Sequence, residues 1–252
     1  MAVNLNSRVW SRASVLMLVA VLAGATSARA EVDITGRWGR YPGVRDKNVD
    51  PRFAPPPIGE PDLKAPWVTQ YKELRRRQQA SDAAGEPLAN ASTECKPEGM
   101  PKMMAAIYPL EILQTPGQVT IFAEVEAQSR RIYLGEKSPA VDEIPPGYFG
   151  YSTGRWEGDT LVVETIGVRE DVEYREIPHG EKALIKERIR LLSPDILQDV
   201  VTVEDPERLN KPYTVTFAYK KMPAYKIQEY VCENNRSYVD DKGVTRLKLE
   251  PQ

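Results

Sequence analysis

A single histidine, His179, occurs in the 252 residues. It is the one side chain whose unperturbed pKa suits proton transfer near neutrality. It stands in the loop entering the stretch ALIKERIRLLS, residues 183–193. There Ile185, Glu187, Ile189 and Leu191 alternate onto one face of a strand, and Lys186, Arg188 and Arg190 take the other. If the apolar face is interior, Glu187 is interior with it, and a buried carboxylate must be paired, hydrogen-bonded or raised in pKa. His179 and Glu187 are therefore the expected acid and base. Two plainer readings stand beside this one: a loop histidine bonded to a backbone carbonyl, and a structural ion pair from Glu187 to an interior arginine such as Arg155. Glu164, between Val162 and Ile166, admits the same argument as Glu187, although Leu161 and Val163 on the opposite face are apolar too.

Residues 150–154, GYSTG, spell G-x-S-x-G and invite an esterase reading with Ser152 as nucleophile. That nucleophile needs a strand, a sharp turn and then a helix, whereas here the string runs on into strand and hairpin, so the reading is set aside. Tyr151 is assigned instead to orienting a substrate beside His179 and Glu187. Tyr133, Tyr148, Tyr151 and Trp156, with Arg155 and Glu164 as polar contacts, are expected to line or rim a pocket for an aromatic or otherwise flat ligand, with core packing the alternative for each ring. One histidine, two cysteines and no D-x-D-x-D-G loop leave no ligand set for zinc or an EF-hand calcium, and no G-x-G-x-x-G or G-K-[ST] string exists for nucleotides. No cofactor and no metal are expected.

The elements that must position these residues are strands. Residues 146–168 read as a hairpin: FGYSTGRW and DTLVVETIGV are rich in aromatic and β-branched residues, and Glu157, Gly158 and Asp159 supply the turn. Strand patterns also cover 31–41, 110–115, 118–127, 130–135, 183–193, 196–205, 212–221 and 226–232. About ten strands at hairpin spacing predict an all-β fold, an antiparallel barrel around a cavity, with one or two peripheral helices. Seven prolines between residues 42 and 66 make that segment an extended strap. Residues 66–84 read as a surface helix that docks Trp67, Tyr71 and Leu74 on the barrel.

Arg8 and Arg12, the apolar run 15–25 and the A-x-A at 28–30 form a secretory signal peptide, residues 1–30, with the mature chain starting at Glu31. The 31–252 remainder is expected to be one exported domain, periplasmic or secreted, with no membrane span. Losing three arginines with the leader leaves 31 basic against 36 acidic residues, a net charge near −5, which argues against nucleic acid as a partner. In an oxidising compartment Cys95 and Cys232 are best read as one disulfide.

Gly36-Arg37-Trp38 on the first strand resembles the G-x-W of lipocalin and calycin barrels, which implies that Trp38 closes one end of the barrel. More broadly, GMPKMMAAIYPLEILQTPGQVTIF, RRIY, GYSTGRWEGDTLVVET, ERIR and EYVCENN together resemble a large family of exported bacterial proteins for which a lipocalin-like barrel is expected. Members of that family often carry a histidine in a D-G-R-x-H-P turn, where this chain reads GEKSPA, and another in a P-H-S-E turn, which falls on His179. Two functions follow as expectations. One is a cofactor-independent enzyme of lyase, decarboxylase or isomerase type acting on a small hydrophobic or aromatic molecule. The other is a carrier that only binds such a molecule.

Overall fold

The computed structural model describes residues 31–86, 88–105, 107–172, 174–175, 177–232 and 237–247, and the expected leader over 1–30 lies outside them. Alternating β-branched and polar residues build nine strands: β1 (Gly36–Tyr41), β2 (Leu110–Thr115), β3 (Gln118–Ala123), β4 (Gln128–Leu134), β5 (Tyr151–Glu157), β6 (Thr160–Ile166), β7 (Leu184–Ser193), β8 (Ile196–Glu204) and β9 (Tyr213–Lys221). They pair in sequence order, and β9 returns to β1, Trp38 opposite Lys221, so the sheet closes on itself. Closure leaves no free edge in this sheet.

The expected barrel is therefore present, with four corrections. It has nine strands, not ten. It is mixed: β4 and β5 run parallel, Ile132 beside Ser152, because the 135–150 link crosses over instead of turning back. Residues 226–232 form no strand. The closed sheet offers them no edge, and they are held by side chains instead: Glu124 accepts hydrogen bonds from the Tyr225 hydroxyl at 2.8 and 3.0 Å and from the Gln228 N–H at 2.8 Å. The predicted strand 118–127 also stops at Ala123. A short 3₁₀ turn over Val125–Ala127, with Glu126 and Ala127 at positive φ, reverses the chain into β4.

The hairpin β5–β6 forms in the expected register, Tyr151 opposite Ile166 and Glu157 opposite Thr160. A small separate sheet pairs β10 (Ser237–Val239) with β11 (Thr245–Leu247). Helix α1 (Trp67–Ala84) packs Tyr71, with Trp67 and Val68, against the main core, and the Tyr71 hydroxyl donates to Glu60 at 2.6 Å. Trp38 is wholly buried: its indole N–H donates to the Ile34 carbonyl at 3.0 Å, and the Lys221 ammonium lies 5.4 Å from its ring centre. Cys95 and Cys232 form the expected disulfide across 137 residues of sequence. Among the described residues no helix is long and apolar enough to cross a membrane.

Over one mouth of the barrel three loops meet. Met100, Met103 and Met104 are buried there, with Val172, Tyr174 and Ile177 from the β6–β7 link. The Met100 N–H donates to the Tyr148 carbonyl at 2.9 Å, and the Tyr174 ring meets the inward-facing Phe217 edge-on at 6.0 Å. These loops form a cap whose side chains are continuous with the core.

Candidate functional site

Strand alternation delivers charge into the interior at three places. On β4, Gln128, Arg130 and Ile132 are buried while Ser129 and Arg131 are exposed. On β7, Ile185, Glu187 and Ile189 are buried while Arg188 and Arg190 are exposed. On β8, Leu197, Asp199 and Val201 are buried while Gln198, Val200 and Thr202 are half-buried. Arg130 is 1% exposed, and Glu187 and Asp199 are 0% exposed.

Arg130 reaches from β4 past β5 and β6 to β7. Its two terminal nitrogens donate to the two oxygens of Glu187, Nη1 to Oε1 at 2.8 Å and Nη2 to Oε2 at 2.5 Å. This paired, forked geometry is the strongest form of carboxylate recognition available to a side chain. On the way Nε donates to the Ser152 hydroxyl at 3.1 Å and Nη2 to the Thr165 hydroxyl at 2.9 Å. Ser152 and Thr165 sit directly opposite each other on β5 and β6, and their hydroxyl oxygens are 2.9 Å apart. One buried cation is thus matched to one carboxylate and two hydroxyls.

Asp199 is left over. It lies on the strand beside Glu187, one step along the diagonal, since Glu187 pairs with Val201 and Asp199 with Ile189. Neither of its oxygens meets a hydrogen-bond donor among the described residues. The polar group it faces is the Glu187 carboxyl, an acceptor like itself, and two such groups can bond only if one carries a proton. Burial first, and the charge of Glu187 second, raise the Asp199 pKa well above the ordinary carboxylate value, outweighing the opposing pull of Arg130. The proton therefore resides on Asp199, and the interior holds a neutral acid beside an ion pair. Tyr219, wholly buried on β9, is likewise raised by burial and by Asp199, and its hydroxyl donates to the Met104 carbonyl in the cap at 2.5 Å.

The expected residues divide accordingly. Glu187 is interior, as its alternation predicted, but its partner is Arg130 and not Arg155. Arg155 faces outward, bonded to Glu157 at 2.8 and 3.1 Å. His179 is buried at the mouth, where Nε2 lies 2.5 Å from the Val172 carbonyl and Nδ1 3.3 Å from that of Gly180, the plainer of the two readings offered for it. Tyr133 and Tyr151 stack on each other outside the barrel, ring centres 5.2 Å apart, and the Tyr151 hydroxyl donates to Glu136 at 2.6 Å, which raises its pKa. Tyr148 lies under the Arg169 guanidinium at 4.8 Å. Glu164 is half-buried on the face of β6 away from Thr165, opposite Lys186. Trp156 packs against the core with its indole N–H unpartnered among the described residues.

Sequence reasoning missed Arg130, Asp199 and Tyr219. The alternation that located Glu187 applies equally to ILQDVVTVED, where Asp199 shares a face with Leu197 and Val201. Ser152, rejected as an esterase nucleophile, is an interior strand residue bonded to Arg130. Its motif glycines serve packing: Gly150 takes φ +61°, and a β-carbon at Gly154 would come within 2.7 Å of Ile132. A void of about 20 Å³, enough for roughly one water, lies at the mouth between His179, Tyr174 and Tyr213. Among the described residues no three His, Cys, Asp or Glu side chains come together as metal ligands. No protein-family model and no curated protein matches the chain.

Proposed function

We propose that the protein is a cofactor-independent acid–base enzyme of the exported compartment, acting on a small hydrophobic or aromatic molecule, with the interior cluster as its proton-transfer site. The observation that carries this reading is the wholly buried Asp199 carboxyl, without a hydrogen-bond donor among the described residues, set one diagonal step from the Glu187 carboxylate. A buried acid that keeps its proton, set beside a carboxylate held by an arginine, is an arrangement from which acid and base chemistry can be run together. Arg130 would hold Glu187 in place, Ser152 and Thr165 would orient Arg130, and Tyr219 would add a hydroxyl on the side of the cap. Disulfide, leader-like N-terminus and the resemblance of W-E-G-D-T-L-V-V-E-T support the exported setting. Reaching the cluster requires the cap over Met100–Met104 to lift, which releases the Tyr219 hydroxyl from Met104.

A panel of small aromatic and aliphatic carbonyl compounds, incubated with the protein in D₂O and followed by NMR, reports proton abstraction whichever bond is later broken. Asp199→Asn and Tyr219→Phe should each lower the exchange or turnover rate by about 10² to 10⁴, while His179→Ala leaves it within a few-fold. Undiminished activity in Asp199→Asn would remove the cluster from the mechanism. The complete burial of Arg130, Glu187 and Asp199 favours a second reading, a carrier in which the cluster only fixes the fold, and ligand binding without exchange or turnover across the panel would establish it.

A further inference from the structure

A second arginine besides Arg130 points into the barrel, and it has no anion. Arg40 follows Trp38 by two residues on β1 and so shares its inward face, where the guanidinium lies over the wholly buried Phe217 ring at 4.7 Å. Arg40 is half-buried, and among the described residues it meets no carboxylate. Its side-chain hydrogen bond goes to the Ala105 carbonyl, next to Met104 in the cap, at 3.4 Å. That is longer than the usual N–H···O range of about 2.7 to 3.2 Å. Arg130, by contrast, holds both oxygens of Glu187.

Register sets Arg40 at the end of the row that holds the cluster. Arg40 pairs with Tyr219 across β1 and β9, Phe217 pairs with Asp199 across β9 and β8, and Glu187 lies one diagonal step further on β7. Burial and then Asp199 raise the Tyr219 pKa, and the Arg40 charge pulls against them, so its field reaches that hydroxyl. The two donors are held by consecutive cap carbonyls: Tyr219 donates to Met104 and Arg40 to Ala105. Two neutral oxygens of the cap thus occupy a pair of donors, one of them charged, and lifting the cap frees both together. The wall beside them is aromatic, with the Tyr174 ring meeting Phe217 edge-on at 6.0 Å.

We infer, given the acid–base role proposed for the interior cluster, that its substrate is a small aromatic carboxylate, whose two oxygens take the places of the Met104 and Ala105 carbonyls on Tyr219 and Arg40 and whose ring lies against Phe217. A guanidinium matches a carboxylate by charge-assisted, forked bonds that a lone carbonyl cannot reproduce. The head supplies the anion that Arg40 lacks, and the ring covers the aromatic surface that the lifted cap leaves bare. Arg40 is then a binding residue, and Asp199 and Glu187 remain the proton-transfer pair.

Benzoate, benzamide and benzylamine share a ring and differ in head charge, and their binding is read without turnover. Each is titrated into the whole protein by calorimetry, with NMR of the Phe217 and Tyr174 rings to place it. Benzoate should bind about tenfold more tightly than benzamide, with benzylamine weakest, and should shift both rings. Arg40→Gln should weaken benzoate about tenfold and leave benzamide within about twofold. Arg40→Lys, which keeps the charge without the fork, should weaken benzoate by about threefold or more, and it decides the matter if Arg40→Gln fails to fold. Arg131→Gln, on the exposed face of β4, should change nothing. Benzoate bound no better than benzamide, not bound at all, indifferent to both Arg40 variants, or leaving the Phe217 and Tyr174 rings unmoved would each overturn the inference. Failure of the acid–base reading looks different: benzoate binding that depends on Arg40, with no exchange or turnover of any compound, would remove the catalysis and keep the carboxylate site. Exchange of neutral carbonyl compounds that is abolished by Asp199→Asn and indifferent to Arg40→Gln would do the reverse.

Discussion

At Asp199 one carboxyl does two opposed things, and the opposition can be measured. A proton held more tightly in the folded than in the unfolded chain means that folding is favoured at low pH and loses ground as pH rises. Unfolded Asp199 ionises near the ordinary value of about 4, whereas folded Asp199 stays protonated well above it. From that point up to the folded pKa, each pH unit removes about 1.4 kcal/mol of stability. Asp199→Asn keeps the shape, stays uncharged and can donate to Glu187. It should therefore be more stable than the native chain at neutral pH, by a margin that shrinks as pH falls toward 4, as read from urea denaturation at several pH values. Glu187→Gln is the informative partner. Alone, removing the partner of a buried charge typically costs about 3 to 5 kcal/mol. Here Asp199 can ionise and take over the pairing with Arg130, so the loss should be smaller. Adding Asp199→Asn removes that reserve and leaves Arg130 buried without an anion. The double variant should be less stable than the sum of the single effects by about 2 kcal/mol or more. Simple additivity would mean that the two carboxyls do not share one charge.

Among the elements, those written in local pattern were legible and those decided by closure were not. The β5–β6 hairpin announced itself through β-branched runs around Gly158-Asp159, and Glu187 was placed indoors by alternation alone. Residues 226–232 carry an equally good strand pattern, yet β1 had already taken the edge of β9. Nor does linker length tell parallel from antiparallel: the 135–150 link crosses over, and the comparably long 167–183 link joins antiparallel neighbours. Arg130 and Arg131 are adjacent and identical in type, so only the register of β4 decides which goes inside. Asp199 was readable by the rule applied to Glu187. The segment 223–232, denied a sheet, depends on Glu124 and on the disulfide. In the chain-entropy account, closing a loop this long stabilises by about 4 to 5 kcal/mol. The double variant Cys95→Ser, Cys232→Ser should thus unfold at distinctly lower urea with its barrel register intact. A loss under about 1 kcal/mol would show that Glu124 holds the segment unaided.

For the molecule as a whole, the decisive question is whether the cap can open while the barrel stays shut. The barrel has no edge from which to fray, and its β6–β9 ladders are long, with one register shift between Leu191 and Ser193 at the end of β7. The cap is held differently, by short turns: Met103 N–H to Gly99 at 2.7 Å, Met104 N–H to Pro101 at 3.0 Å and Met100 N–H to Tyr148 at 2.9 Å. Because these amides are bonded within the closed cap, their hydrogen exchange reports its opening, and the amides around Glu187 and Val201 report opening of the barrel. Cap amides should exchange at least about 10² times faster than the ladder amides if opening is local. The interior adds a pH signature. Opening admits water to Asp199 and lowers its pKa toward the ordinary value, so the open state releases a proton that the closed state keeps. Opening is then promoted as pH rises above about 4, beyond the intrinsic base catalysis of exchange. Tyr219 remains protonated over this range because burial raises it further. In Asp199→Asn the extra pH dependence should vanish while the ladder rates hold or slow. Cap and ladder amides exchanging together, at one rate and with one pH dependence, would mean that nothing reaches the cluster short of global unfolding, and the acid–base reading would fall with it.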